Sequence, residues 1–186
     1  MQLVTKRRLW TWIPIFGVFF AAWSALSLPS VQEYLILGGA PPLNRATSFD
    51  VVRLPDTVMF TCLDGSVVNV ETLHGKPAVI SVFATWCPPC MAEISGLERL
   101  RTTVAGDATV LMVGLDEHTA LAAWNTERKG DPTAFATASS WAPPLETKSI
   151  PLTLVLDSHG LIVSRLTGAY QWDDPSVVQH LHALGQ

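Results

Sequence analysis

Residues 78–90 read AVISVFATWCPPC, in which a strand pattern leads directly into two cysteines. The first seven of these residues favour a β-strand without interruption, which predicts a central strand covered on both faces. Beyond Cys87 and Cys90, residues 89–104 place apolar side chains at helical spacing. The sequence therefore predicts a cysteine pair held between a buried strand and the first turn of a helix.

Strand and helix patterns continue on both sides of this stretch. Residues 58–62 and 67–70 are typical of strands, and the Asp64-Gly65 pair between them favours a hairpin turn. This order predicts an α/β, thioredoxin-like fold, with helices on a central mixed sheet and an extra N-terminal β-hairpin. Further strands are predicted over 109–115, 152–156 and 161–166, and further helices over 117–128 and 175–184.

The N-terminus carries a long uncharged segment. Residues 9–28 contain no charged side chain, and a helix of this length spans about 30 Å, the thickness of the hydrocarbon core of a bilayer. Lys6, Arg7 and Arg8 precede it, so the positive-inside rule predicts one transmembrane helix in the cell inner membrane, with the folded domain on the periplasmic side. A cleavable signal peptide, ending near Ala25-Leu26-Ser27, is the alternative, and it also exports the domain.

Composition divides the chain into segments. We expect a cytoplasmic basic tail over 1–8, a transmembrane anchor over 9–28, a linker over 29–55 and a thioredoxin-like domain over 56–186. The formal net charge of −4 offers no basic face for nucleic acid. The composition therefore favours protein and membrane partners and excludes nucleic acid.

The position of the cysteine pair predicts its chemistry. Free backbone N–H groups and the positive end of the helix dipole favour a thiolate on Cys87. Cys90, one turn further on, is close enough to attack a mixed disulfide formed by Cys87. These features favour a redox-active disulfide that needs no other cofactor. A structural disulfide and half of a zinc site are the alternatives.

Both residues between the cysteines are prolines. Pro88 and Pro89 lack N–H groups, so the N–H group of Cys90 becomes the nearest backbone donor to Cys87. We expect a pKa of Cys87 below the usual value of about 8.5, but less lowered than in pairs that offer more N–H donors.

Two motifs together carry a family resemblance. They are Trp86-Cys87-Pro88-Pro89-Cys90 and Ile150-Pro151-Leu152-Thr153. With the surrounding stretches 63–100 and 149–168, the chain resembles the TlpA/ResA-like family of membrane-anchored bacterial thioredoxin-fold proteins.

The resemblance implies a role for each matching site residue. Cys87 corresponds to the exposed attacking thiol and Cys90 to the buried resolving thiol. Pro151 corresponds to a cis-proline that packs against the disulfide and leaves the backbone of Ile150 free to pair with an extended substrate. Trp86 corresponds to a residue that shields the site and helps to form the docking surface.

The acidic residue near the cysteines differs from that of cytoplasmic thioredoxins. Glu93 matches an acidic residue that tunes the cysteines in some members, but a solvated glutamate on the helix surface is the alternative. Ser81 stands where cytoplasmic thioredoxins carry a buried aspartate, so their proton handling does not carry over. The segment 124–150 also departs from the family pattern, which leaves partner specificity open.

Cys62 is the remaining cysteine. Its place in the first predicted hairpin favours a small buried strand residue. A third redox thiol and an intermolecular link are the alternatives.

The resemblance implies the reduction of disulfides in exported proteins. Substrates of this kind are the haem-attachment cysteines of apo-cytochrome c and the copper-site cysteines of oxidase assembly proteins, and a membrane thiol transporter is the implied electron donor. An oxidase of folding proteins and a Cu(I) chaperone using the same cysteine pair are alternatives.

Overall fold

The computed structural model describes residue 37 and residues 39–43, 52–141 and 143–186. Among these residues, seven strands form one sheet and three α-helices accompany it. The strands are β1 (Met59–Cys62), β2 (Val67–Asn69), β3 (Ala78–Phe83), β4 (Thr109–Gly114), β5 (Phe135–Ala138), β6 (Leu152–Leu156) and β7 (Ile162–Thr167). The helices are α1 (Pro88–Thr103), α2 (His118–Glu127) and α3 (Pro175–Leu184), and a 3₁₀ turn covers Val70–Leu73.

The sheet is mixed, with the strand order β2-β1-β5-β4-β3-β6-β7. β3, β4 and β5 run parallel to one another, whereas β6 pairs antiparallel with β3 and β7 antiparallel with β6. All six residues of β3 are buried, as the uninterrupted apolar pattern predicts for a central strand. Because α1 follows β3, the cysteine pair lies at the carboxyl end of the most protected part of the sheet.

The predicted N-terminal hairpin is present. β1 and β2 pair antiparallel across a turn in which Gly65 has a φ of +87°, a conformation that glycine adopts without steric cost. The carboxylate of Asp64 accepts a hydrogen bond of 2.9 Å from the N–H group of Ser66 and so supports the same turn. The extra N-terminal hairpin of the predicted fold is therefore formed by β1 and β2.

Side chains from the two faces of the sheet form two separate cores. On one face, Val79 and Phe83 of β3 pack with buried residues of all three helices. On the other face, Ile80 and Val82 pack with the 3₁₀ turn and with Leu145 from the connection before β6. The helical residues of the first core are Ile94, Leu97 and Leu100 of α1, Leu121 of α2, and Val177 and Leu181 of α3.

The segment 124–150 contains a strand that the sequence did not predict. β5 has only four residues, FATA, and two of them are alanines, so no strand pattern stands out. Its strand geometry comes from its neighbours, because it pairs antiparallel with β1 and parallel with β4. β5 thus joins the N-terminal hairpin to the rest of the sheet.

Several predictions lie outside the described residues. They are the cytoplasmic tail over 1–8, the transmembrane helix over 9–28 and most of the linker over 29–55. Within the part of the chain that the structure describes, no helix has the length and apolar character needed to span a bilayer.

Candidate active site

Cys87 and Cys90 form a disulfide at the N-terminus of α1. Their Cα atoms are 5.3 Å apart, a usual separation for bridged cysteines. Cys87 is the N-cap residue and is 5% exposed, whereas Cys90 lies inside the first turn and is 0% exposed. An incoming sulfur therefore meets Cys87 first, and Cys90 is accessible only from within the protein.

The loop before α1 determines which backbone donors face the sulfur of Cys87. Pro88 and Pro89 occupy the first positions of α1 and have no N–H groups. The N–H group of Cys90 points at the Sγ atom of Cys87, with an N–S distance of 3.3 Å. This is the donor that the sequence predicted, and it stabilises negative charge on the sulfur once the disulfide opens.

A carboxylate anchors the active-site loop from the next strand. Asp116, just beyond β4, accepts a 2.9 Å hydrogen bond from the N–H group of Thr85 and a 2.7 Å bond from its hydroxyl group. Thr85 stands two residues before Cys87, so these bonds restrain the loop that carries the attacking sulfur. Neither residue was predicted from the sequence, although neighbouring parallel strands bring residues at their carboxyl ends together.

The Ile150–Pro151 peptide bond lies on the other side of the disulfide and is cis. This is the isomer that the family resemblance implied and that the sequence alone left open. The carbonyl oxygen of Ile150 is 4.0 Å from the Sγ atom of Cys87. Pro151 is buried, while Ile150 is partly exposed beside the sulfur.

The surface around Cys87 is apolar and open. The Trp86 side chain is 70% exposed, and Pro88 and Pro89 are also exposed. Ile150 adds a partly exposed aliphatic side chain next to the same sulfur. This surface is suited to receive an extended peptide segment that presents a disulfide to Cys87.

Glu93 is buried in the core, one turn after Cys90 on α1. It is 0% exposed, so the alternative of a solvated glutamate on the helix surface is wrong. Its Oε1 atom accepts a 3.0 Å hydrogen bond from the Ser81 hydroxyl group. Its Oε2 atom accepts a 3.0 Å bond from the indole Nε1 of Trp172 and a longer bond of 3.4 Å from the N–H group of Tyr170.

Burial raises the pKa of Glu93 from its ordinary value of 4.5 to about 7. The cause is the cost of placing a charged carboxylate away from water, and the three hydrogen bonds offset part of that cost because they favour the charged form. A carboxyl group with a pKa near 7 exchanges its proton readily at neutral pH. Glu93 is therefore suited to act as an acid or a base next to Cys90.

Cys62 lies apart from this site. It is a free thiol, 1% exposed, in the core on the sheet face opposite the disulfide. β5 and β4 separate its strand β1 from β3, a distance of about 14 Å at the usual strand spacing. Cys62 has the buried strand position that the sequence favoured, and burial raises the pKa of its thiol.

Comparison with known proteins places this site in a family. Residues 50–181 match the family model described as Redoxin. The chain belongs to the Redoxin family. The family assignment rests on most of the chain, including the sheet, the disulfide and Glu93.

Two similar proteins are named for thiol–disulfide chemistry. The thiol:disulfide interchange protein DsbE of Escherichia coli (strain K12) is 33% identical over 144 residues, which cover 75% of this chain and 70% of that protein. The thiol-disulfide oxidoreductase ResA of Bacillus cereus (strain ZK / E33L) is 24% identical over 112 residues, which cover 58% of this chain and 64% of ResA. The protein is a thiol:disulfide oxidoreductase of the DsbE and ResA type.

A solved structure supports the fold. A putative thiol:disulfide interchange protein DsbE from Chlorobium tepidum superposes with a TM-score of 0.61 at 22% identity, covering 75% of this chain and all of that one (100%). This confirms the thioredoxin-like α/β architecture predicted from the order of strands and helices.

Proposed function

We propose that this protein reduces disulfides in exported proteins, with Cys87 as the attacking thiol and Cys90 as the resolving thiol. The observation that carries the proposal is the asymmetry of the pair. Cys87 faces an apolar, open surface, whereas Cys90 is enclosed and lies one turn from a carboxyl group with a pKa of about 7. Such an arrangement separates capture of a substrate from its release.

The reaction begins with both cysteines reduced. The thiolate of Cys87 attacks one sulfur of the substrate disulfide, a mixed disulfide forms, and the other substrate sulfur leaves as a thiolate. The thiolate of Cys90 then attacks the Sγ atom of Cys87, and the second substrate sulfur leaves. The substrate gains two electrons, and the enzyme ends with the Cys87–Cys90 disulfide.

Cys90 must lose its proton before it resolves the mixed disulfide, since the thiolate is the nucleophile. Residues three apart on a helix are neighbours, so the side chains of Cys90 and Glu93 lie on the same face of α1. Glu93 takes the proton, and its pKa near 7 matches this task at neutral pH. In cytoplasmic thioredoxins a buried aspartate at the strand position of Ser81 assists this proton transfer. Ser81 has no carboxylate, so Glu93 performs that role here.

The proposed location is the periplasmic side of the cell inner membrane, with residues 9–28 as the anchor. The support is the uncharged segment preceded by basic residues. A tether raises the effective concentration of the enzyme near membrane-bound partners. Proposed substrates are apo-cytochrome c or copper-site assembly proteins, and a membrane thiol transporter is the proposed electron donor.

The direction of the reaction is tested by the reduction potential. The full chain, purified in detergent, is equilibrated with glutathione buffers, and the reduced fraction is counted by alkylation and mass spectrometry. A potential near that of thioredoxin, about −270 mV, is expected for a reductase. A potential near −120 mV would instead support an oxidase of folding proteins. A Cu(I) chaperone that uses the same cysteine pair stays an alternative function. That the protein needs no further cofactor stays a prediction.

A further inference from the structure

The two oxygens of the Glu93 carboxylate have different kinds of partners. Oε2 faces the indole N–H of Trp172 and the backbone N–H of Tyr170. Both groups donate a hydrogen bond, and neither has an acceptor to offer. Oε1 faces the hydroxyl group of Ser81, which donates to a carboxylate and also accepts from a protonated carboxyl group.

This difference determines where a proton rests on Glu93. A proton on Oε2 would point at two donors and find no acceptor, at a cost typical of an unsatisfied buried polar group. A proton on Oε1 finds the Ser81 oxygen. We propose that Trp172 is a positioning residue that holds Oε2 as a permanent acceptor, so that Glu93 takes up and releases its proton at Oε1.

A second hydroxyl group lies beside Ser81 on the same face of the sheet. Thr153 of β6 is the direct cross-strand partner of Ser81, and residues paired in this way share a face of the sheet. Its hydroxyl oxygen is buried and has no hydrogen-bond partner among the described residues. β3 and β6 therefore supply hydroxyl groups that can accept a hydrogen bond, whereas Trp172 and Tyr170 supply only donors.

Trp172 is enclosed by the protein and packs against Tyr170. Its side chain is 0% exposed and meets the ring of Tyr170 edge to face, with centroids 6.2 Å apart. Further along α1, the charged side chains of Arg99 and Asp173 pair with each other at 2.8 Å on the surface. The groups that contact the Glu93 carboxylate directly are thus neutral donors from β3 and from the segment before α3.

This inference deepens the proposed function, because it names the oxygen through which Glu93 serves Cys90. It is tested without a substrate, so its failure is distinguishable from a failure of the proposed reductase activity. Trp172→Phe removes the indole donor. Tyr170→Phe is the control, because it keeps the backbone N–H group and loses only the hydroxyl group that donates to the carbonyl of Thr167. Replacement of Trp172 by β-(3-benzothienyl)alanine keeps the ring shape and removes only the N–H group.

Two properties of Glu93 are measured in the full chain. Its pKa is measured by carbon NMR of the carboxyl group, and the C=O band of its protonated form is measured by infrared spectroscopy. Glu93→Gln assigns both signals. Loss of a donor to the charged form raises the pKa, here by about one unit. The C=O band, which belongs to Oε2, shifts to higher wavenumber.

Both changes are expected in Trp172→Phe and in the benzothienyl variant, and neither in Tyr170→Phe. An unchanged pKa and an unchanged C=O band in the benzothienyl variant would overturn the inference, because a purely structural role of Trp172 requires neither change. A lower melting temperature without these two shifts would overturn it as well. If Trp172→Phe does not fold, the benzothienyl variant alone decides.

Discussion

The Ser81 hydroxyl group donates a hydrogen bond of 3.0 Å to the Oε1 atom of Glu93, which joins the centre of β3 to the first turns of α1. In cytoplasmic thioredoxins the buried acid occupies the strand position. Here the strand supplies a hydroxyl group and the helix supplies the acid. A buried carboxyl group is therefore present in both cases, although here it comes from a different element.

Glu93→Gln should slow the resolving step, because an amide takes no proton from Cys90. We expect release of a mixed disulfide between Cys87 and a model thiol at pH 7 to slow on the order of 10²-fold, a common loss for a missing general base. Stopped-flow measurement of thiol release tests this. The exposed Glu127→Gln on α2 is the matched control and should behave as the wild type. Equal release rates in all three proteins would remove Glu93 from the mechanism.

The raised pKa of Glu93 also predicts a pH dependence of stability. Because the folded pKa of about 7 lies above the ordinary 4.5, the folded protein binds a proton more tightly than the unfolded chain. The contribution of Glu93 to the free energy of unfolding is greatest below about pH 4.5, and it falls by about 3 kcal/mol as the pH rises to 7. Above pH 7 the cost stays constant.

Urea unfolding of the oxidised wild type and of Glu93→Gln, from pH 4 to 8, measures this difference. The wild type should lose stability relative to Glu93→Gln as the pH rises through this window. Parallel pH curves for the two proteins would show that Glu93 titrates with an ordinary pKa.

Alkylation should distinguish the three cysteines of the reduced protein. Iodoacetamide is expected to modify Cys87 first, because it is the most exposed of the three cysteines, at 5%, and stands at the N-cap of α1, where a thiolate is favoured. Cys90 and Cys62 are 0% and 1% exposed and should react much more slowly. Mass spectrometry of timed samples measures the order. Labelling of Cys62 at the rate of Cys87 would contradict its description as a buried structural thiol.

Removing the resolving thiol should trap the substrate. In Cys90→Ala, Cys87 still attacks a substrate disulfide, but no second thiol completes the exchange. A long-lived mixed disulfide is expected on non-reducing gels, sensitive to dithiothreitol and absent from Cys87→Ser. Cys62→Ala is the control that should accumulate none. A mixed disulfide that survives in Cys87→Ser would assign the captured partner to another cysteine.

Local patterns explain what could be predicted from the sequence. The uninterrupted apolar run of β3, the Asp64-Gly65 turn and the helical spacing of α1 each depend on neighbouring residues, so their bounds agree with the structure within one or two positions. The cysteine pair was placed correctly for the same reason, since it directly joins a strand to a helix.

Contacts between distant residues explain what was missed. Whether Glu93 is buried depends on Tyr170 and Trp172, which lie 77 and 79 residues further along the chain. Trp172 lies outside any helix or strand, and no periodicity singles it out. The bonds of Asp116 to Thr85 likewise depend on the pairing of β3 with β4.

In the proposed function, Cys87 and Cys90 exchange a disulfide with a protein substrate. Its most direct test is the reduction of insulin by dithiothreitol in the presence of the full chain in detergent, followed by turbidity. The wild type should accelerate precipitation, and Cys87→Ser should abolish the acceleration. A folded wild-type protein with both thiols intact that leaves the rate unchanged would contradict the account.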